Sequence, residues 1–161
     1  MSPPFIRLRK ALDAPPQAPV WPDGVRQAAF GPDEAEAVYA LLAGAYARGG
    51  GRVGPFADWW KALRTDAEYD PALVLLAVDG DGVLAGVAQS WTSGFVKDLV
   101  VAEGWRRRGL GAALLRAAFV AFHARGAAFV DLKVEADNPW GAERLYRREG
   151  MMDVVQGETC A

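Results

Sequence analysis

Residues 97–115 constrain the fold most strongly, because they encode a strand, a basic turn and a helix in immediate succession. The apolar, β-branched run Leu99–Val101 predicts a buried strand. Arg106–Arg108 follow it, and Gly109 and Gly111 lack a Cβ atom, so another group can approach the backbone closely there. This order predicts a strand-turn-helix unit with a basic turn directly before a helix N-terminus.

The helix after this turn is expected to end near Gly126. Its apolar side chains recur at helical spacing, at Leu110, Ala113, Leu114, Ala117, Ala118 and Ala121. The unpaired N–H groups and positive dipole end of such a helix, together with the preceding arginines, form an anion site suited to phosphate. A Walker A loop would end in Gly-Lys-Ser/Thr, and a Rossmann fingerprint would have a third glycine at Leu114, so neither nucleotide motif fits.

Turn residues divide the rest of the chain into short strands and helices. Asp79–Gly82 predicts a type I′ hairpin turn, whereas Asn138 and Pro139 predict the N-cap and first residue of a helix that ends before Gly150. The other predicted elements are strands at 25–30, 73–78, 83–91, 129–134 and 151–155, and helices at 32–47 and 56–63. The order predicts an α/β fold whose mixed sheet is antiparallel early and parallel across the βαβ unit.

The first 24 residues hold most of the prolines. Phe5–Arg9 alternates apolar and basic residues in part, which predicts an edge strand. Ala14–Pro19 predicts an extended linker, because proline fixes φ and donates no hydrogen bond. We therefore expect a proline-rich N-terminal arm at 1–24, packed on a single domain at 25–161.

Composition narrows the class of protein further. A length of 161 residues suffices for one domain with a core, and 52% hydrophobic residues indicate a globular chain. The net charge of −2 argues against a general nucleic-acid surface. No apolar run would span a bilayer, and the single cysteine, Cys160, is compatible with a cytoplasmic location. No Cys/His spacing indicates a metal site.

Two motifs together resemble the GNAT family of N-acetyltransferases. The first is Arg106-x-x-Gly109-x-Gly111, which is similar to the family's pyrophosphate loop for acetyl-CoA. The second runs from Asp137-Asn138-Pro139 through Leu145-Tyr146 to Gly150-Met151 and resembles the later half of the family signature. The resemblance covers roughly residues 25–155 and implies the GNAT fold, in which two parallel strands splay apart to admit coenzyme A.

The resemblance implies acetyl-CoA as cosubstrate and assigns its binding residues. The pantetheine arm would pair with main-chain groups of Leu99, Val100 and Val101 as an added strand does, and one N–H there would polarise the thioester carbonyl. Asn138, besides capping its helix, would bond the pantetheine or a nearby backbone group. The pyrophosphate would take backbone N–H groups from Arg106, Arg107, Arg108, Gly109, Leu110, Gly111 and Ala112.

The family places a tyrosine at the position of Tyr146, near the coenzyme A sulfur, as the general acid for the leaving thiolate. The alternative is a core tyrosine. Asp98 is the candidate general base, because its side chain faces away from that of Leu99 and could reach the acceptor. It could equally be a strand-end carboxylate paired with Lys97 or an arginine, and water could relay the proton instead.

The expected activity is acetyl transfer from acetyl-CoA to a primary amine on a small molecule or peptide. An acetyl-CoA-binding sensor with little catalysis is the alternative. The acceptor pocket is expected between Tyr46–Trp60, which includes the mobile run Gly49–Gly51, and Trp91, with Trp59 and Trp60 as aromatic walls. Some family members complete this pocket with a partner subunit, so a homodimer is also considered; neither nucleic acid nor membrane is an expected partner.

Overall fold

The computed structural model describes residues 5–49, 53–135 and 141–154, and the predicted elements are found there with small shifts. Short 3₁₀ turns lie at Pro32–Glu34, Pro71–Leu73 and Glu103–Trp105. The strands are β1 (Phe5–Ala11), β2 (Arg26–Ala28), β3 (Val74–Val78), β4 (Leu84–Trp91), β5 (Phe95–Val101), β6 (Phe129–Glu135) and β7 (Met152–Asp153). The helices are α1 (Ala35–Gly49), α2 (Phe56–Thr65), α3 (Leu110–Ala124) and α4 (Ala142–Arg148).

The strands form one mixed sheet in the order β2-β3-β4-β5-β6-β1-β7. Strands β2 to β5 are antiparallel neighbours, as predicted for the early part of the chain. The crossover through α3 makes β5 and β6 parallel, which confirms the predicted βαβ unit. The fold is therefore the mixed sheet with flanking helices that the motif resemblance implied.

Strand β1 is inside the sheet rather than at its edge. It pairs antiparallel with the whole of β6, from Phe5↔Glu135 to Ala11↔Phe129, and β7 pairs with its other side. The prediction of a strand was right and that of an edge position was wrong. The alternation at the N-terminus indicates a two-sided strand, but it carries no information about neighbours distant in sequence.

Two apolar layers cover the two faces of the sheet. Alternation along β3 sends Leu75 and Ala77 toward α3, and Val74 and Leu76 toward α1 and α2. The α3 layer includes Leu114, Phe119 and Phe122, which are at most 1% exposed, together with Tyr146 of α4. The other layer includes Val38 and Leu42 of α1 and Leu63 of α2. No helix among the described residues is long and apolar enough to cross a membrane.

Of two predicted turns, the one that ends α4 has the expected geometry, whereas the hairpin after β3 has a different turn type. The Asp79–Gly82 hairpin is present, but only Gly82 has a positive φ (+82°), so the turn is not type I′. The Asp79 side chain accepts the N–H groups of Asp81 and Val83, which suits a type I turn closed by a left-handed glycine. At the end of α4, Gly150 has φ +95°, and the Met151 N–H donates to the Tyr146 carbonyl, as predicted for a glycine-terminated helix.

The start of α4 differs from its prediction. The helix begins at Ala142, and Gly141 before it adopts φ +74°. Asn138 and Pro139, predicted as its N-cap and first residue, lie outside the described residues. The Arg116 guanidinium of α3 anchors the other end of α4, donating from Nε to Glu149 Oε1 at 2.6 Å.

We predict that Gly86 is required for α3 to pack on the sheet. A Cβ atom at Gly86 would lie 2.7 Å from Leu114 Cδ1 and 3.1 Å from the Val100 carbonyl oxygen. Gly86→Ala should therefore lower the free energy of unfolding by about 1–3 kcal/mol through overpacking. Urea denaturation would measure this.

The matched control is Gly80→Ala, because nothing lies within 4 Å of a Cβ atom built at Gly80. That substitution should change stability by less than about 0.5 kcal/mol. Equal effects of the two substitutions would contradict the close approach of α3.

Candidate active site

Strands β5 and β6 meet at one point and then separate. The described pairing is Phe95↔Asp131, where the Asp131 N–H donates to the Gly94 carbonyl at 2.7 Å. Ser90 pairs with Val96 whereas Gln89 pairs with Asp98, so Lys97 is an extra residue in β5. Such a bulge bends its strand and increases the local twist. Beyond it, the edge of β5 that faces β6 has no strand partner among the described residues.

Buried charge surrounds this junction. Asp131 is fully buried and accepts Arg7 Nε at 2.9 Å and Arg9 Nε at 2.7 Å. The Arg9 guanidinium also lies over the Phe129 ring, 3.7 Å from its centroid. These contacts tie β1 to the start of β6, where β5 joins the sheet. The split between β5 and β6 therefore opens from a firmly held end.

The basic turn after β5 is arranged around two left-handed residues. Arg107 has φ +63° and Gly109 has φ +83°. The first intrahelical bond runs from the Ala113 N–H to the Gly109 carbonyl, at 3.1 Å. The N–H groups from Gly109 to Ala112 therefore precede the helical hydrogen-bond ladder, and the helix dipole adds positive potential. These are the last four of the seven amides, Arg106 to Ala112, that the motif resemblance assigns to a pyrophosphate; the Arg106 N–H instead donates to the Glu103 carbonyl at 3.3 Å.

The arginine side chains of this turn differ in their surroundings. The Arg108 guanidinium lies 5.0 Å from the centroid of the Trp105 ring, whereas Arg106 is half-buried. Arg107 is exposed, and its left-handed backbone is unusual for a residue with a side chain. Unusual backbone conformations occur often at ligand sites, which agrees with the position of this turn.

Gly109 and Gly111 have different structural roles. Nothing lies within 4 Å of a Cβ atom built at Gly109, so this glycine is needed for its positive φ. A Cβ atom at Gly111 would lie 3.2 Å from Leu145 Cδ2. The group that approaches the Gly111 Cα is therefore a side chain of α4, while its N–H still belongs to the open first turn of α3.

Tyr146 belongs to the same apolar layer as Leu99 and Val101. Its side chain is largely buried, and burial raises the pKa of its hydroxyl to about 12. The hydroxyl is therefore protonated at neutral pH and can donate a hydrogen bond. Leu145, the preceding residue, packs on Gly111, so α4 brings Tyr146 close to the start of α3.

Asp98 lies on the opposite face of the sheet, beneath α1. The Tyr46 hydroxyl of α1 donates to Asp98 Oδ1 at 2.6 Å, and Lys97 Nζ lies 3.2 Å from Asp98 Oδ2. Burial raises the pKa of Tyr46 above its usual range, and the hydrogen bond to Asp98 raises it further. The pairing with Lys97 is one of the two arrangements that the sequence allowed for this carboxylate.

Tyr146 and Asp98, the two candidate catalytic side chains, thus lie on opposite faces of the sheet. Asn138, the remaining candidate for coenzyme A binding, lies outside the described residues. Among the described residues, no group of three or more His, Cys, Asp and Glu side chains could hold a metal ion.

The tryptophans expected around the acceptor occupy two places. Trp59 and Trp60 stack with ring centroids 6.3 Å apart, and they pack on Tyr39 and Phe30 in the layer between α1 and α2. Trp91 instead lines an open cleft beside the start of β5. Gly50–Arg52 of the expected mobile loop lies outside the described residues.

Sequence reasoning missed the partners of several site residues. It placed Tyr46 near the acceptor but did not link it to Asp98, and it assigned no role to Arg7, Phe95 or Lys133. The alternation of charged residues in β1 and in Asp131-Leu132-Lys133-Val134-Glu135 signals two charged strand faces. It does not reveal that the two strands are neighbours, which depends on the topology.

The split between parallel strands and the open amides at the start of α3 form the candidate site, and comparison with known proteins gives the family of the chain. Residues 35–151 match the acetyltransferase (GNAT) family. The chain belongs to this family, which confirms the resemblance seen in the two motifs.

Several relatives share both sequence and fold with this chain. A mycothiol acetyltransferase from Clavibacter michiganensis is 38% identical over 144 residues, which cover 83% of this chain and 44% of that protein. Its namesake from Beutenbergia cavernae is 34% identical over 143 residues, covering 83% and 47%. A GCN5-related N-acetyltransferase from Sphaerobacter thermophilus superposes with a TM-score of 0.82 at 34% identity, covering 93% and 48%. The chain spans less than half the length of these relatives.

We predict that position 109 requires glycine only because its backbone adopts a positive φ. Gly109→Ala should lower the free energy of unfolding by about 1–2 kcal/mol, because a side chain disfavours the left-handed region. Gly104→Ala is the matched control in the same turn, since Gly104 has no positive φ and nothing within 4 Å of a built Cβ atom. Thermal denaturation of both variants tests this; an equally stable Gly109→Ala protein would contradict the described turn.

Proposed function

We propose that this chain is an N-acetyltransferase that moves an acetyl group from acetyl-CoA to the primary amine of a small molecule. The observation that carries the proposal is the split between β5 and β6, which opens beside the first turn of α3. An extended pantetheine arm can add to the unpaired edge of β5, while the pyrophosphate accepts from the amides of Gly109–Ala112. Family membership supports the same cosubstrate.

The amine would attack the thioester carbonyl directly, within a complex of enzyme and both substrates. A neutral amine is required, and the Asp98 carboxylate, which contacts Tyr46 and Lys97, would accept its proton directly or through water. An N–H group of Leu99–Val101 would stabilise the developing oxyanion. The products are an acetylated amine and the coenzyme A thiolate.

Tyr146 would stabilise the leaving thiolate from the other side of the split. Its pKa of about 12 lies well above the ordinary thiol value of about 8.5, so complete proton transfer from the phenol is uphill. A hydrogen bond from the neutral hydroxyl to the sulfur needs no such transfer. We therefore propose that Tyr146 acts mainly as a hydrogen-bond donor, with the final proton coming from the solvent or the attacking amine.

The names of two relatives suggest which amines to test first as acceptors. Two relatives carry the name mycothiol acetyltransferase, and that name points to a small-molecule acceptor rather than a protein. Since the chain matches under half of their length, their acceptor serves only as a starting point for a panel of amines. Incubation with acetyl-CoA and each amine should release free thiol and give an acetylated amine by mass spectrometry. Binding of acetyl-CoA without thiol release would instead identify a binding module.

We predict that a negative charge in the first turn of α3 blocks acetyl-CoA. Ala112→Glu should raise the Kd for acetyl-CoA at least about tenfold, equivalent to about 1.4 kcal/mol, because the carboxylate repels the pyrophosphate. Stability should be unchanged or higher, since an acidic residue favours a helix start. Position 112 is preferable to Gly111, where a side chain would also press on Leu145.

Val120→Glu provides the matched control for this experiment. It adds the same charge to α3 at an exposed site away from the helix start. Calorimetry should show an unchanged Kd for acetyl-CoA with this variant. An unchanged Kd for Ala112→Glu as well would exclude this turn as the pyrophosphate site.

We predict that Tyr146→Phe lowers kcat by about tenfold to a thousandfold, with little change in the Kd for acetyl-CoA. A folded pKa of about 12 means that the hydroxyl is almost fully protonated at pH values well below 12. No loss of kcat from Tyr146 ionisation should therefore occur near neutral or at mildly alkaline pH. Tyr69→Phe, which removes a hydroxyl from a ring that packs edge-on against Trp60, is the control and should leave kcat unchanged. A full kcat in Tyr146→Phe would assign thiolate stabilisation elsewhere.

A further inference from the structure

A cleft of about 310 Å³ opens beside the junction of β5 and β6. We call it the junction cleft; it is lined by Arg7, Glu68, Trp91, Ser93, Phe95 and Lys133. This volume is near the lower end of the range of about 300–1,000 Å³ found for small-molecule sites. The size suits a small ligand or one part of a larger one.

The junction cleft lies on the same face of the sheet as Asp98. In β1 and β6, Leu8, Val130 and Leu132 point into the α3 layer, so Arg7 and Lys133 point to the other face. Trp91 packs against the layer of α1 and α2, and α1 supplies the Tyr46 hydroxyl to Asp98. The cleft therefore opens on the side from which an amine would approach Asp98.

Two cations lie directly opposite each other in this cleft. Arg7 and Lys133 are cross-strand partners, and like charges at such positions destabilise a sheet unless something compensates. The Asp131 carboxylate offsets the repulsion between Arg7 and Lys133 only in part, because it also binds Arg9. Within the described part of the chain, no carboxylate is paired with Lys133.

The Arg7 side chain is presented in a way that suits an anion. Its Nε donates to Asp131, and its guanidinium carbon lies 5.4 Å from the centroid of the Phe95 ring. Among the described residues, its terminal NH₂ groups have no hydrogen-bond acceptor, and the side chain is 39% exposed. A fixed guanidinium with open terminal nitrogens recognises carboxylate or phosphate oxygens well. The cleft also contains the Glu68 carboxylate, whose Oε1 accepts the N–H of Ser93 at 3.1 Å, so the two cations outnumber the one lining carboxylate.

From these contacts we propose that the amine acceptor carries an anionic group, a carboxylate or a phosphate, which binds Arg7 and Lys133 in the junction cleft. Its apolar part lies on Trp91 and Phe95. Phe95 and Asp98 oppose Trp91 and Gln89, which are two residues apart in β4, so they lie about 7 Å apart along the strand, and this sets the scale of the spacing between amine and anion. This inference rests on the proposed acetyl transfer and specifies its acceptor.

The test compares two amines that differ in the anion alone, ε-aminocaproate and hexylamine. The wild-type protein should have a kcat/KM about tenfold higher for ε-aminocaproate, as expected for a charged hydrogen bond. Lys133→Gln should remove most of this preference, because it should lower kcat/KM for ε-aminocaproate far more than kcat/KM for hexylamine. Lys61→Gln, at an exposed position of α2, should leave the preference intact. Aminohexyl phosphate in place of ε-aminocaproate distinguishes a phosphate site from a carboxylate site.

A binding measurement separates this inference from the proposed catalysis. Titration of ε-aminocaproate should shift the amide NMR signals of Ser93, Phe95 and Lys133, with weaker binding in Lys133→Gln. If no amine is acetylated but this binding occurs, the cleft assignment stands and the catalytic proposal fails. The anion site would be overturned if kcat/KM were equal for the two amines. It would also be overturned if Lys133→Gln bound ε-aminocaproate as tightly as the wild-type protein.

Discussion

The arrangement of the site depends on the single described pairing of β5 with β6. Parallel strands linked through a helix can pair along their length, but here the pair joins at Phe95 and Asp131 and then diverges. Asp131 holds this point through its backbone to Gly94 and through its buried carboxylate to Arg7 and Arg9. Because the Asp131 carboxylate is fully buried, its charge is compensated through Arg7 and Arg9, so the junction is a firmly held origin for the split.

The split connects two layers that are otherwise separated by the sheet. On one side, α3 and α4 present open amides and the protonated Tyr146 hydroxyl; on the other, α1 holds Asp98. A thioester inserted between the strands would be accessible from both sides. Under the proposed function, one layer would bind the cosubstrate while the other receives the amine, and Asp98, the proposed proton acceptor, would be separated from Tyr146, the proposed hydrogen-bond donor to the thiolate.

Local signals predicted most of the fold. The β-branched run at Leu99–Val101, the apolar spacing in α3 and the glycine after α4 are properties of neighbouring residues, so the sequence alone locates these elements. The place of β1 could not be predicted in this way, because it depends on pairing with β6 more than a hundred residues away. The turn after β3 was misassigned because Asp79 side-chain bonds, rather than backbone preference alone, select its type.

The candidate site was predictable to a similar extent. Its motif residues could be named from spacing, yet their contacts were hidden: Gly111 faces Leu145, and Asp98 accepts the Tyr46 hydroxyl. Both contacts join segments far apart in sequence. The basic face formed by Arg7 and Lys133 likewise exists only once β1 lies beside β6. Spacing thus identifies the candidate residues, whereas topology determines what surrounds them.

Hydrogen exchange measured by NMR, with and without acetyl-CoA, tests the central claim most directly. If the cosubstrate enters the split, the amides of Gly109–Ala112 and those of Leu99–Val101 that face β6 should exchange more slowly when acetyl-CoA is bound. Amides of β3, which is paired on both sides, should keep their rates. The account would be contradicted if saturating acetyl-CoA left the exchange rates of all the amides of Leu99–Val101 and Gly109–Ala112 unchanged.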